Sequence, residues 1–188
     1  MEVCSADEVE RLMPLVSPQR REQAKTYKHI FGQFCCLKSY ELLCELLAEW
    51  GSDNTCPIFI YNEYGAPSID GGPYFSISHC KNGIAVAVDS RPIGIDIESV
   101  RPFKEALMKK TMNADEQTLI MRDEQADWTF TRLWTKKEAL LKMQATGIIS
   151  DLHEVLADTS NIRFTSIDNV NHHYVLTIVQ EGANSGNE

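Results

Sequence analysis

The chain has 188 residues, 43% of them apolar and 24% charged, with a formal net charge of −9. That length suits one compact domain or two small subdomains sharing a core, and the composition is that of a globular rather than a disordered protein. An acidic chain lacks the basic surface that displaces counterions from nucleic acid, and no apolar stretch reaches the length of a membrane span. The start, MEVCSADEVE, has neither the basic nor the apolar region of a secretory signal. The expectation is a cytoplasmic protein that binds no nucleic acid and no membrane. Its six cysteines, Cys4, Cys35, Cys36, Cys44, Cys56 and Cys80, form no CxxC pair and no framework spacing, so they read as small apolar fillers.

Ser5 and Glu8 have the spacing of a capping box, with Val9, Leu12, Met13 and Val16 as a helical stripe behind them. Ser17-Pro18 starts a second helix. A longer one follows, with Leu37, Tyr40, Leu43, Leu47 and Trp50 on one side and Gly51 as its stop. From residue 58 the pattern turns to strands: IFIYN, a Tyr64-Gly65 turn, then YFSISHC and GIAVAVDS around Lys81-Asn82-Gly83, whose Asn-Gly pair signals a hairpin. Arg91-Pro92-Ile93-Gly94 leads into the short strand IDIE. Residues 103–125 read as one or two short helices, with Asn113 and Glu116 at capping-box spacing. A longer helix runs from Asp127 to about Gly147, HHYVLTIVQ is a late strand, and the polar end EGANSGNE frays. The order predicts a mixed α+β architecture.

Gly94-Ile95-Asp96-Ile97-Glu98 is the most informative segment. Side chains alternate along a strand, so Asp96 and Glu98 share a face while Ile95 and Ile97 point to the core. Two carboxylates about 7 Å apart repel each other, and a bound cation relieves that; magnesium suits hard oxygen ligands and keeps places for phosphate and water. A solvated strand face has the same pattern, and the pair alone does not separate the two. Trp134-Thr135-Lys136-Lys137-Glu138-Ala139-Leu140-Leu141-Lys142 lies on the long helix, where Glu138 and Lys142 share a face and could hold a phosphate or simply pair.

Together these segments resemble the 4'-phosphopantetheinyl transferase superfamily, in its longer, pseudo-dimeric, surfactin-synthetase-activating type. The family shows a G-[IV]-D-[IV]-E strand followed some forty residues later by W-x-x-K-E-x-x-x-K, matched here through Lys137, Glu138 and Lys142. Its F-[NS]-[IL]-S-H run is matched by Phe75-Ser76-Ile77-Ser78-His79, and its tyrosine–glycine turn by Tyr64-Gly65. The resemblance covers about residues 9–180. Ala66 replaces the lysine of the family's Y-G-K-P turn, and Cys35-Cys36 stand where relatives carry an arginine and a hydroxyl residue. The expectation is also that the strand some relatives place before the first helix is absent.

The resemblance implies two similar α/β halves, 1–90 and 91–188, related by a pseudo-twofold axis, with the ligand between them. It implies coenzyme A as donor, the serine of an apo carrier protein as acceptor, and a monomer that completes its site alone. Asp96, Glu98 and Glu138 are the implied Mg²⁺ ligands. Glu138 and Lys142 are the catalytic pair, the first as proton acceptor and the second on the leaving phosphate. Ser78, His79, Lys137 and Lys142 are implied coenzyme A contacts, and Arg20 and Lys28 are candidates for its 3′-phosphate. Lys104, Lys109, Lys110, Arg132, Lys136 and Lys137 could form a local basic patch on this acidic chain. Two other readings share these residues: a carrier-protein-binding relative without turnover, and a Mg²⁺-dependent phosphodiesterase acting on a small nucleotide.

Overall fold

The computed structural model describes residues 4–147 and 151–182. Ser5 caps α1 (Ala6–Leu12) as its spacing predicts, its hydroxyl accepting the Glu8 N–H at 3.2 Å, and Val9 and Leu12 turn inward. Ser17 caps α2 (Pro18–Thr26) in the same way. α3 (Ile30–Trp50) buries Leu37, Tyr40, Leu43 and Leu47 and stops at Gly51, whose φ of +82° is a conformation glycine adopts without strain. Trp50 departs from the expected stripe: it ends the last turn and is 49% exposed.

The expected strand at residues 58–62 shrinks to β1 (Ile60–Tyr61), which pairs with β2 (Pro67–Ser68) around the Tyr64-Gly65 turn. Phe59 goes into the core, its N–H and C=O gripped by the amide of Gln19 at 2.8 and 2.9 Å. β3 (Tyr74–Cys80) and β4 (Gly83–Asp89) form the expected hairpin. Its loop is Lys81-Asn82, because Gly83 already pairs with Cys80; the Asn-Gly signal marks the place but not the central pair. β5 (Ile93–Ser99) follows, then α4 (Glu105–Thr111), α5 (Ala114–Arg122) and α6 (Ala126–Gln144). Asn113 and Glu116 close a complete capping box on α5. β6 (Ile162–Asn169) and β7 (Tyr174–Glu181) finish a three-stranded antiparallel sheet of order β5-β7-β6. β6 is mostly exposed, which is why its sequence carries no clear alternation. Of the end expected to fray, residues 183–188 lie outside the described residues; Glu181 closes β7. The mixed α+β class is as expected.

Two contacts set the site. Gly94 lies so close to α6 that a Cβ there would stand 1.8 Å from the Ala139 carbonyl oxygen, so the glycine of the strand motif lets helix and strand touch backbone to backbone. β5 is also an edge strand, with N–H groups that its own sheet leaves unpaired. Ser76 and Ser78 of β3 fill that edge: their hydroxyls accept the N–H groups of Ile95 and Ile97 at 3.0 and 3.3 Å. Small residues facing β5 from the hairpin (Ser76, Ser78, Ala85 and Ala87) permit the approach, while Ile93, Ile95 and Ile97 pack beneath it.

Candidate active site

Asp96 stands where these contacts meet. It is 4% exposed, and its Oδ1 accepts from Ser78 Oγ and from Lys142 Nζ, each at 2.7 Å. Lys142 therefore pairs with Asp96 rather than with Glu138, and it also donates to the Ile95 carbonyl at 3.3 Å. Glu138 and Glu98 flank Asp96 on α6 and β5. Burial first, then the charge of Asp96, raises the pKa of both above the usual carboxylate value; Lys142 works against this at both, and Arg101 does so at Glu98. Glu138 and Lys142 open into a cavity of about 760 Å³, walled on one side by Asn62, Tyr64–Ser68 and β3 and on the other by the last two turns of α6. Glu98 opens instead into a second cavity of about 400 Å³, lined by Arg101, Phe103, Lys104, Phe130 and Trp134. Stacked rings form its wall, Phe103 on Phe130 at 4.9 Å and Phe130 on Trp134 at 6.3 Å.

Among the described residues, no three His, Cys, Asp or Glu side chains stand close enough as they are to hold a metal ion. The donor set still fits a hard divalent cation. Asp96 Oδ2 is buried with no hydrogen-bond partner, and two further carboxylates beside it are held at raised pKa by crowding and burial. An added positive charge there would relieve both.

The family model of the 4'-phosphopantetheinyl transferase superfamily matches residues 92–182. The chain is 32% identical over 150 residues to the 4'-phosphopantetheinyl transferase Sfp of Bacillus subtilis, covering 77% of this chain and 66% of that one. It is 30% identical over 158 residues to the 4'-phosphopantetheinyl transferase psf-1 of Bacillus pumilus, covering 81% and 68%. This chain belongs to the 4'-phosphopantetheinyl transferase superfamily. It spans about two thirds of the length of these Bacillus relatives. Over 100 residues it is also 38% identical to the 4'-phosphopantetheinyl transferase HetI of a Nostoc species, covering 48% of this chain and 42% of that one.

Several residues that the superfamily resemblance singled out stand elsewhere than expected. Lys137 is 1% exposed and points away from the carboxylates. Its ammonium donates to Glu116 at 2.7 Å and to the carbonyls of Thr111 and Leu152 at 2.9 and 2.7 Å, so it has no proton left for a ligand. Arg20 is likewise an internal clamp: it donates to the Cys36 carbonyl, Ser39 and Gln23, and lies over the rings of Tyr40 and Phe59. Cys35 and Cys36 are core residues at 1% and 3% exposure, and burial pushes the Cys35 thiol up to about 12. Their difference from the superfamily pattern thus lies in packing. Lys28 sits exposed in the bend between α2 and α3.

Ser78 is buried and acts on Asp96 and on the seam. His79 reaches the surface, edge-on to Phe31 at 6.4 Å. Partial desolvation, then Lys142 and Arg20, lower its pKa and favour the neutral ring. Of the six basic residues, Lys137 is buried and three others have partners of their own. Lys109 pairs with Glu105, Arg132 with Asp168, and Lys136 lies over Phe164. Sequence reasoning missed Ser76, whose i,i+2 spacing with Ser78 in a strand was the available signal. It also missed Arg101, which faces Glu98, and Asn62 on the cavity wall; neither stands in a motif.

Proposed function

We propose that this protein transfers the 4'-phosphopantetheine of coenzyme A to a serine of an apo carrier protein. One observation carries the reading: the Ser78–Asp96–Lys142 chain, flanked by two more carboxylates, sits at the end of the 760 Å³ cavity. A cavity of that size suits an extended cofactor, and the single lysine among its lining residues stands beside the acids. Asp96, Glu98 and Glu138 would hold Mg²⁺, which when bound supplies charge neutralisation for the pyrophosphate oxygens. In the reaction the serine oxygen forms a bond to the phosphorus bearing pantetheine, the bond from that phosphorus to the bridging oxygen breaks, and adenosine 3′,5′-bisphosphate leaves. Glu138, on the cavity wall, accepts the serine proton, and Lys142 steadies the leaving phosphate.

The second cavity supports a carrier protein as acceptor. It meets the acids from the Glu98 side, and its aromatic wall and basic rim suit an acidic partner with an apolar helix face. The arrangement of long helices supports the pseudo-twofold relation of halves 1–90 and 91–188: α3 covers the β3–β4 hairpin as α6 covers β5 and β7. We read the protein as a cytoplasmic monomer with a complete site. Incubation with coenzyme A, Mg²⁺ and several apo carrier proteins is expected to add the phosphopantetheine mass to one serine, and excess chelator to abolish the addition. Undiminished modification in chelator would remove the metal assignment. A complex with carrier but no mass added would favour a binding relative, and release of nucleotide without carrier a phosphodiesterase.

Ala66 lines the cavity where the superfamily's turn carries a lysine, so that positive charge is missing there. One charge-assisted contact is worth about 1.5–3 kcal/mol, or roughly tenfold and more in affinity. The protein is therefore expected to discriminate weakly between coenzyme A and its 3′-dephospho form. Ala66→Lys should lower KM for coenzyme A more than for the dephospho form. Strong native preference for the 3′-phosphate would show that another cation already meets it.

A further inference from the structure

The two walls of the large cavity come from distant parts of the chain, and among the described residues one hydrogen bond joins them directly. Asn62 Nδ2 donates to the Ala145 carbonyl at 2.8 Å, across 83 residues. The same side chain shapes the opposite wall, its Oδ1 accepting the N–H groups of Tyr64 and Ala66 at 3.0 and 2.9 Å. Its backbone closes that turn as well, donating to the Ala66 carbonyl and accepting from Gly65 N–H. Asn62 is exposed, so it adds little to the core.

Ala145 is a demanding anchor. It caps α6 in the left-handed conformation, φ 54°, which is strained for a residue other than glycine. Two residues later Gly147, φ 68°, passes over Tyr64, whose Cβ lies 3.4 Å from where a Gly147 Cβ would stand. The chain leaving α6 is thus folded back over the turn that Asn62 organises. That same helix carries Glu138 and Lys142.

From this geometry we infer that Asn62 is a positioning residue: it holds the Tyr64–Ala66 turn against the C-terminal end of α6 and so fixes the width of the donor cavity. The inference rests on the proposed function for the donor's identity, though not for the tie itself. The role differs from turn formation, because the turn needs only an acceptor and the tie needs a donor. Asn62→Asp separates the two. A carboxylate keeps an oxygen for Tyr64 and Ala66 but turns a second oxygen toward the Ala145 carbonyl, replacing attraction by repulsion. Asn62→Ala removes both.

The test compares wild type, Asn62→Asp and Asn62→Ala in three measurements. Hydrogen exchange should quicken at 143–147 in both variants, while the 62–66 amides stay protected in Asn62→Asp alone. Calorimetry should show coenzyme A binding about five- to tenfold more weakly to Asn62→Asp, the loss of about one neutral hydrogen bond. KM for coenzyme A should rise in step, with kcat within twofold of wild type. The weakening should persist at high salt, where a mere charge effect of the new carboxylate would fade. Wild-type exchange at 143–147 in Asn62→Asp, or impairment confined to Asn62→Ala, would overturn the inference and leave Asn62 a turn former. Failure of coenzyme A to bind wild type would instead overturn the functional reading, with the exchange data still deciding the tie.

Discussion

Asp96→Asn is expected to lower transfer by about 10²–10³-fold while the protein stays folded. The amide is isosteric, so its oxygen still accepts from Ser78 and Lys142, and a side chain only 4% exposed leaves no cavity behind. What disappears is the charge. Without it Lys142 loses the anion that orients it, and the buried Oδ2, now partnerless, becomes an NH₂ group that cannot bind a cation. Asparagine is a sharper probe here than alanine, which would also leave a half-buried ammonium without its partner and confuse stability with chemistry. Turnover measured against Mg²⁺ concentration, with a thermal melt on the same sample, checks it. Near-normal turnover at limiting Mg²⁺ would end the role of Asp96 as a ligand.

The second large effect is on stability. Lys137→Ala should cost about 3–5 kcal/mol, because it strips a buried charge of its partner: Glu116 has a side chain 10% exposed, and its Oε1 is already unpaired. Two carbonyls, of Thr111 and Leu152, lose their donor as well. Denaturant unfolding reads the loss. Coenzyme A binding by the fraction still folded should match wild type, whereas a phosphate-binding lysine would show the reverse, intact stability and weakened affinity. Lys137→Met combined with Glu116→Gln should recover much of the stability, since the buried charge goes while the amide keeps the capping box with Asn113. No recovery in the double variant would mean that the lysine matters chiefly through the two carbonyls.

What could be read in advance follows the range of the interactions involved. Helix starts at Ser5, Ser17 and Asn113 were legible because a cap is local: the acceptor and the N–H it meets are three residues apart. Alternation placed Ile95 and Ile97 inward and Asp96 with Glu98 on the other face, and the structure agrees. Lys137 was misread because a motif position fixes spacing along a helix but not which way the side chain points. Adjacent residues on α6 lie about 100° apart, so Lys137 and Glu138 serve different neighbours. Arg20 was misread for a related reason: its partners, the Cys36 carbonyl and Ser39, lie a helix away. β6 and the tie from Asn62 to Ala145 depend on contacts that no local pattern encodes.

The serine seam has a consequence for register. A strand held by a backbone ladder can slip by two residues and find equivalent partners, because every peptide offers the same groups. Hydroxyls at Ser76 and Ser78 offer no such repeat: the flanking positions on that face of β3, Tyr74 and Cys80, lack a serine hydroxyl to receive a displaced N–H. β5 therefore has one alignment against the hairpin, and Asp96 meets Ser78 in that alignment alone. The same occupancy hides the free edge of β5 from a strand of another molecule, so the device that aligns the acids also protects the sheet from association.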